Sequence, residues 1–79
     1  MEMKLKKETE KWLQKIKVER EKIVLVDESK ENFIKNIDSY IADSEHFLAQ
    51  NDLIRAFEAV IWAFAWLEIG KDLGIIKEN

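Results

Sequence analysis

The sequence contains no cysteine, no proline and only two glycines among its 79 residues. Without cysteine the chain has no disulfide framework and no thiolate that could act as a metal ligand or a nucleophile. Without proline, and with so little glycine, the usual interruptions of a helix are missing. These absences favour an all-α protein and exclude chemistry that depends on a thiolate.

A long apolar run is also lacking. The longest unbroken run, Ala59 to Leu67, has nine residues, about half of the roughly 18 that indicate a membrane span. The N-terminal stretch, residues 1–12, has no continuous apolar core of the kind found in signal peptides. We therefore expect a cytoplasmic protein with no contact to a membrane, and a chain of this length predicts one domain over residues 1–79.

Residues that carry chemistry are scarce. The only histidine, His46, follows Asp43 by three positions, and two ligands on one helix face are too few for a metal site. Glu68 and Asp72 are four residues apart, but the pattern supplies no cleft for acid–base work, so a solvated polar strip is the better interpretation. Neither a glycine-rich phosphate loop nor a serine paired with a base is recognisable. We predict a protein that is not an enzyme and that has no metal and no cofactor.

Charge is divided unevenly along the chain. Residues 1–22 hold eight Lys or Arg and five acidic residues, whereas residues 23–79 hold five and eleven, and the net charge is −3. The basic first segment and the acidic remainder could attract each other within one fold, which is the interpretation we favour. The alternative is a nucleic-acid-associated accessory protein that uses the Lys-rich first helix, although interleaved glutamates oppose it.

The apolar periodicity predicts three helices, over residues 3–22, 29–50 and 52–73. The first has a narrow seam and therefore one packing face. Its seam consists of Leu5, Thr9, Trp12, Ile16 and Ile23. After it, the apolar stretch 23–26 is too short to distinguish a helix end from an extended connection. Asp27 or Ser29 can then cap the second helix.

The second helix is amphipathic, and it leads into the third through Gln50-Asn51-Asp52. Its core-facing positions are Ile34, Ile37, Ile41, Ser44 and Leu48. Asn51 can adopt the left-handed conformation that ends a helix, and Asp52 can cap the next one. Large side chains of the second helix meet alanines of the third at most levels. The pattern predicts a three-helix up-and-down bundle with a tight C-terminal helical hairpin.

The third helix carries more apolar surface than two neighbouring helices can readily cover. One stripe faces the core and consists of Leu53, Phe57, Val60, Phe64 and Leu67. A second stripe, about 150° away, consists of Trp62, Trp66, Ile69 and Leu73. Gly74 is well placed as the left-handed residue that ends the helix, which would let Ile75 fold back on Ile69.

The second stripe is the candidate interface. We expect it to be covered by a second copy of the chain or by a partner helix, because two tryptophans are suitable anchors for an interface. In the alternative, the first helix lies over Trp62 and Trp66 with its own Trp12, which gives a monomer. Tyr40, Asp43 and Arg55 form a candidate polar site, in which Asp43 at the edge of the apolar face could accept a hydrogen bond.

The C-terminal half resembles a known family, the archaeal proteins grouped as domain of unknown function 357. The similarity lies in Tyr40–Leu48, Asn51-Asp52, Arg55–Ala59, Trp62–Gly70 and the pair Leu73 and Gly74. It covers roughly residues 37–76 and rests on the order and spacing of these segments together. The resemblance implies a three-helix up-and-down bundle of archaeal origin, with no known activity. Our expectation for function is therefore a non-catalytic interaction or structural module that self-associates through its last helix.

Overall fold

The computed structural model describes residues 2–79, with the side chains from residue 3 onward. Three helices account for most of this chain, and two three-residue strands pair beside them. The elements are α1 (Glu2–Lys22), β1 (Ile23–Leu25), α2 (Asn32–Ala49), α3 (Leu53–Asp72) and β2 (Ile76–Glu78). The predicted three-helix bundle is confirmed, and a small antiparallel sheet is added to it. No described helix is long and apolar enough to cross a membrane.

The stretch after the first helix is extended, which resolves the ambiguity left by the sequence. β1 pairs with β2 in a register that sets Val24 opposite Lys77. The amide of Val26 also donates to the carbonyl of Ile75, at 2.8 Å. β2 was not predicted, because three residues give too little periodicity and their partner strand is about 50 positions away in the chain. The sheet ties the end of α1 to the end of α3.

The second helix begins three residues later than predicted. Residues Glu28–Lys30 form a single 3-10 turn, and Asp27 caps that turn rather than α2, since its Oδ1 accepts from the Ser29 amide at 3.0 Å. The Ser29 hydroxyl donates to the same oxygen at 2.6 Å. These two donors lower the pKa of the Asp27 carboxyl from its ordinary value. Glu31 occupies the N-cap position of α2, and its side chain makes no capping hydrogen bond.

α2 and α3 form the predicted antiparallel hairpin. Asn51 adopts φ +59°, and the amide of Asp52 donates to the carbonyl of Phe47 at 2.9 Å, the long hydrogen bond of a Schellman ending. Asp52 in turn caps α3 by accepting from the Arg55 amide at 3.4 Å. Farther along, the fully buried Ser44 hydroxyl donates to the carbonyl of Ala56 at 2.7 Å. A small polar residue is thus buried between the two helices of the hairpin, and its hydroxyl is hydrogen-bonded across them.

α1 packs parallel to α3 and antiparallel to α2. Trp12 packs edge to face on Phe64, with ring centroids 5.6 Å apart, and Glu19 lies 3.7 Å from the Lys71 ammonium. In both pairs the α3 residue follows its α1 partner by the same number of positions, as parallel helices require. The buried seam of α1 consists of Thr9, Leu13 and Ile16, and Ile23 at the start of β1 continues it. Leu13 was missed, and Trp12 and Leu5 are only partly buried, because the seam turns toward the groove between α2 and α3.

Ion pairs join the basic α1 to the acidic α2, as the favoured interpretation of the charge division requires. Arg20 holds both carboxylate oxygens of Asp38, at 2.6 and 3.1 Å, and Lys17 pairs with Glu45. The hydrogen bonds from Arg20 raise the pKa of its guanidinium above the ordinary value. Because these pairs are half exposed, they fix the relative position of the helices more than they stabilise the fold.

Candidate interaction surface

α3 has neighbours on two sides and solvent on the third. Its buried positions are Leu53, Ala56, Ala59, Val60, Ala63, Leu67 and Gly70. Ala56 lies against Ser44 of α2, Gly70 lies between Phe33 of α2 and Ile76 of β2, and Phe64 faces α1. Burial is therefore displaced toward the alanine side of the predicted core stripe, since Phe57 and Phe64 are only partly buried. The opposite side of α3 has no described element over it.

The tryptophans of the second stripe lie against α2, so the alternative in which α1 covers them is wrong. Trp66 packs edge to face on Phe33 with centroids 4.8 Å apart, and Trp62 stacks on Tyr40 at 6.2 Å. Trp12, expected to lie over them, contacts Phe64 on the other flank of α3. Ala59 and Ala63 are small, so α2 can pack closely on the side of α3 that carries the tryptophans. α1 then packs on the side that carries Phe64.

Only part of the predicted stripe is available to another molecule. Trp66 is partly buried against the core, whereas Trp62, Ile69 and Leu73 are 56%, 50% and 66% exposed. Two further side chains on the solvent side, Ile54 and Ile61, are 68% and 46% exposed. We call these five residues the α3 patch: Ile54, Ile61, Trp62, Ile69 and Leu73. The sequence contained the signal for the two additions, because both isoleucines interrupt the polar strip of the helix.

Exposed carboxylates adjoin the α3 patch without dividing its centre. Ile61, Trp62 and Ile69, with the partly buried Ala65, form a continuous apolar area over two turns. Glu58 precedes this area by one turn, and Asp72 follows it by one turn. An apolar centre with a charged rim is the usual arrangement of a surface that binds another protein.

The three residues of the candidate polar site do not form a cluster. Tyr40 is partly buried beneath Trp62, while Asp43 is exposed to solvent. Arg55 lies with its Nε 3.6 Å from Asp52 and its guanidinium 5.9 Å from the Phe47 ring. Within the described side chains no hydrogen bond or ion pair joins Tyr40, Asp43 and Arg55. The arrangement offers neither a convergent polar site nor a metal centre, since no three His, Asp or Glu side chains converge in the described residues.

An open groove lies at the end of the bundle where α1 begins and α2 turns into α3. Its volume is about 680 Å³, and its apolar lining comes from Leu5 of α1 and from Leu53 and Phe57 of α3. The sequence assigned these three residues to the core. Leu53 is buried at the bottom of the groove, whereas Leu5 and Phe57 remain partly accessible. Ile54 lines the groove as well, so the groove adjoins one end of the α3 patch.

The fold and surface define a small three-helix protein with an apolar helix face exposed to solvent. A family model described as "Protein of unknown function (DUF357)" matches residues 5–76, and the chain therefore belongs to the DUF357 family. The matched range is nearly twice as long as the resemblance found in the C-terminal half. It includes α1 from Leu5 to the end of that helix.

Among solved structures, the chain is similar to the crystal structure of protein AF1782 from Archaeoglobus fulgidus, a DUF357 protein. The two are 46% identical with a TM-score of 0.91, and the match covers 99% of this chain and 97% of that one. No curated protein gives a significant match. The comparisons thus confirm the resemblance and the three-helix architecture, and they carry no activity to this chain.

Proposed function

We propose that this protein is a non-catalytic interaction module that forms a homodimer through the α3 patch. The observation that supports the proposal most directly is the row of five large apolar side chains on the solvent side of α3, each about half exposed or more. Leaving apolar area of this kind in water costs roughly 25 cal/mol per Å² relative to burial. Trp62 is the natural anchor, since it presents a large rigid ring at the centre of the row.

The exposed area suits a second copy of the chain. The five exposed side chains amount to on the order of 600 Å², a size at which surface patches mark interaction sites. Pairing the patch with the same patch on another molecule would bury about 1,200 Å² in total, the lower limit of a specific, stable interface. A surface used by both partners of a twofold dimer must be self-complementary. The apolar centre of the patch, Ile61, Trp62 and Ile69, runs along one side of a single helix, a shape that can pair with itself.

The charges beside the patch favour an antiparallel register. When Ile54 of one copy is set level with Ile69 of the other, Glu58 comes level with Ala65, and Glu68 comes level with Arg55. No carboxylate then faces another carboxylate, and the twofold axis passes between Ile61 and Trp62. An antiparallel arrangement also sets the dipoles of the two α3 helices in opposite directions, which is the favourable orientation for neighbouring helices.

Sedimentation equilibrium tests the proposal. We expect the wild-type chain to approach twice its mass of 9.4 kDa at high micromolar concentration. The double substitution Ile61→Lys and Ile69→Lys would place four ammonium groups in the interface and should return the mass to that of the monomer, because buried unpaired charge is strongly unfavourable.

Val26→Lys is the matched control, since Val26 is 52% exposed and lies outside α3. This variant should associate as the wild type does, and circular dichroism would verify that all three chains are folded. A wild-type chain that remains a monomer throughout this concentration range contradicts the proposal.

A further inference from the structure

The outward face of α1 carries a row of lysines that the sequence alone did not isolate. At about 100° per residue, six positions between residues 4 and 22 fall within an arc of roughly 80° on the solvent side of the helix. Five of the six are lysines and the sixth is Val18. We call these five the lysine stripe: Lys4, Lys7, Lys11, Lys15 and Lys22. All five are exposed, and the row is about 27 Å long at 1.5 Å per residue.

The interleaved glutamates, which opposed a nucleic-acid contact, lie outside this arc. Glu8 and Glu19 occupy the flank toward α3 and already have partners there. Glu8 accepts from the Trp12 indole at 3.1 Å, and Glu19 lies 3.7 Å from the Lys71 ammonium. Glu10 and Glu21 lie on the opposite flank and are exposed. Folding into a helix therefore separates charges that alternate along the sequence.

The fold also leaves the charges of the lysine stripe without salt-bridge partners in the described residues. Lys17 and Arg20 lie off the stripe and pair with carboxylates of α2. Among the side chains that the structure describes, no salt bridge involves a lysine of the stripe. Instead the ammonium groups of Lys11 and Lys15 lie 5.5 and 4.8 Å from the centre of the Trp12 ring. Cation–π attraction to the Trp12 ring therefore helps to position these two ammonium groups.

We infer that the lysine stripe binds the phosphate backbone of a nucleic-acid duplex. A straight, rigid row of point charges suits a regular line of phosphates, and contacts to phosphates alone carry no sequence preference. No exposed aromatic ring lies among the stripe residues to stack on unpaired bases, which makes a single strand the less suitable ligand. A membrane surface fits less well, because the apolar face of α1 is buried in the bundle and leaves only Met3 and Val18 as exposed large apolar side chains of that helix.

Electrophoretic or anisotropy titration with a 20-base-pair duplex, repeated at several salt concentrations, tests the inference. If all five lysines reach phosphates, log K should fall with log salt with a slope of about −4.5. The double substitution Lys11→Glu and Lys15→Glu should weaken binding at least 10-fold at low salt and reduce the slope by about 2. The milder pair Lys11→Gln and Lys15→Gln should act in the same direction, which excludes loss of the fold as the cause.

The matched control is the pair Lys6→Glu and Lys77→Glu, which changes the net charge equally at two exposed positions off the stripe. It should keep binding within about threefold of wild type, because local phosphate contacts and not total charge set the affinity. Three results would overturn the inference: no binding by wild type at 20 mM salt, equal losses in both pairs, or binding to vesicles with 30% anionic lipid but not to duplex. Parallel titrations with DNA and RNA duplexes distinguish the two possible sources of the backbone. The test is independent of the dimer, since it involves α1 and not the α3 patch.

Discussion

Gly70 shows how a single residue decides where the C-terminal strand can lie. It is a buried position of α3, and a Cβ placed on it would lie 2.9 Å from Cγ1 and Cδ1 of Ile76 and 3.3 Å from the Phe33 ring. Ile76 itself is almost fully buried, so it has little room to move. The missing side chain of Gly70 therefore lets β2 pack directly on α3.

Replacing this glycine by alanine tests the close approach. Gly70→Ala gains about 1 kcal/mol from helix propensity, but overpacking a filled core costs about 1–3 kcal/mol, so we expect a net loss of roughly 1 kcal/mol of unfolding free energy in urea titrations. In an Ile76→Ala background, where both close atoms are absent, the same change should be stabilising. If Gly70→Ala stabilises both backgrounds equally, the contact has no energetic importance.

At the scale of the elements, the helix ends recognisable from sequence were those fixed by local chemistry. Asn51 and Gly74 both adopt the left-handed conformation, at φ +59° and +71°. After Gly74, the amide of Ile75 donates to the carbonyl of Gly70 at 2.9 Å. These endings depend on a few neighbouring residues, and their signals were therefore readable from the sequence. The start of α2 was placed wrongly because Asp27 caps a 3-10 turn with the same chemistry that caps an α-helix.

Substitutions at the two left-handed positions should change the unfolding free energy differently. Gly74→Ala should reduce the unfolding free energy by about 1 kcal/mol, because a Cβ is unfavourable at positive φ, although nothing lies within 4 Å of the new atom. Asn51→Gly should be neutral or slightly stabilising, since glycine adopts the same conformation without that strain. Urea titration of the two variants gives the comparison. A Gly74→Ala chain as stable as wild type would show that the end of α3 tolerates another backbone conformation.

What the sequence could not provide were contacts between distant segments. Periodicity identified Trp62 and Trp66 as one stripe. Whether α1 or α2 lies against them depends on which helix packs closely on the small residues Ala59 and Ala63, and periodicity does not give that contact. The same limit explains β2 and the edge-to-face pair of Trp12 and Phe64. Helical periodicity did place three members of the α3 patch, Trp62, Ile69 and Leu73, on one face of the helix, because side chains three and four positions apart share a face.

On the scale of the whole molecule, two outward faces differ in character. The bundle is elongated, 40 × 17 × 17 Å, and its length lets α1 and α3 each present a row of similar side chains to solvent. α1 presents the lysine stripe, and α3 presents the α3 patch. Because α1 and α3 are separate sides of one bundle, a dimer formed through α3 leaves both lysine stripes accessible. The two proposals are therefore compatible within one assembly.

Disulfide trapping tests the central claim, that a second copy covers the α3 patch. The chain has no cysteine of its own, so a single introduced thiol is an unambiguous reporter. Ile61 lies next to the proposed twofold axis, where its Cα would lie within the roughly 7 Å that a disulfide requires of its counterpart. Val26 has similar exposure, 52% against 46%, but lies far from that axis.

Under mild oxidation at high micromolar concentration, Ile61→Cys should therefore form a covalent dimer rapidly and nearly completely, while Val26→Cys should remain mostly monomeric on non-reducing gels. Equal and slow cross-linking of the two variants would contradict the account, because random collision would then be the only contact between copies.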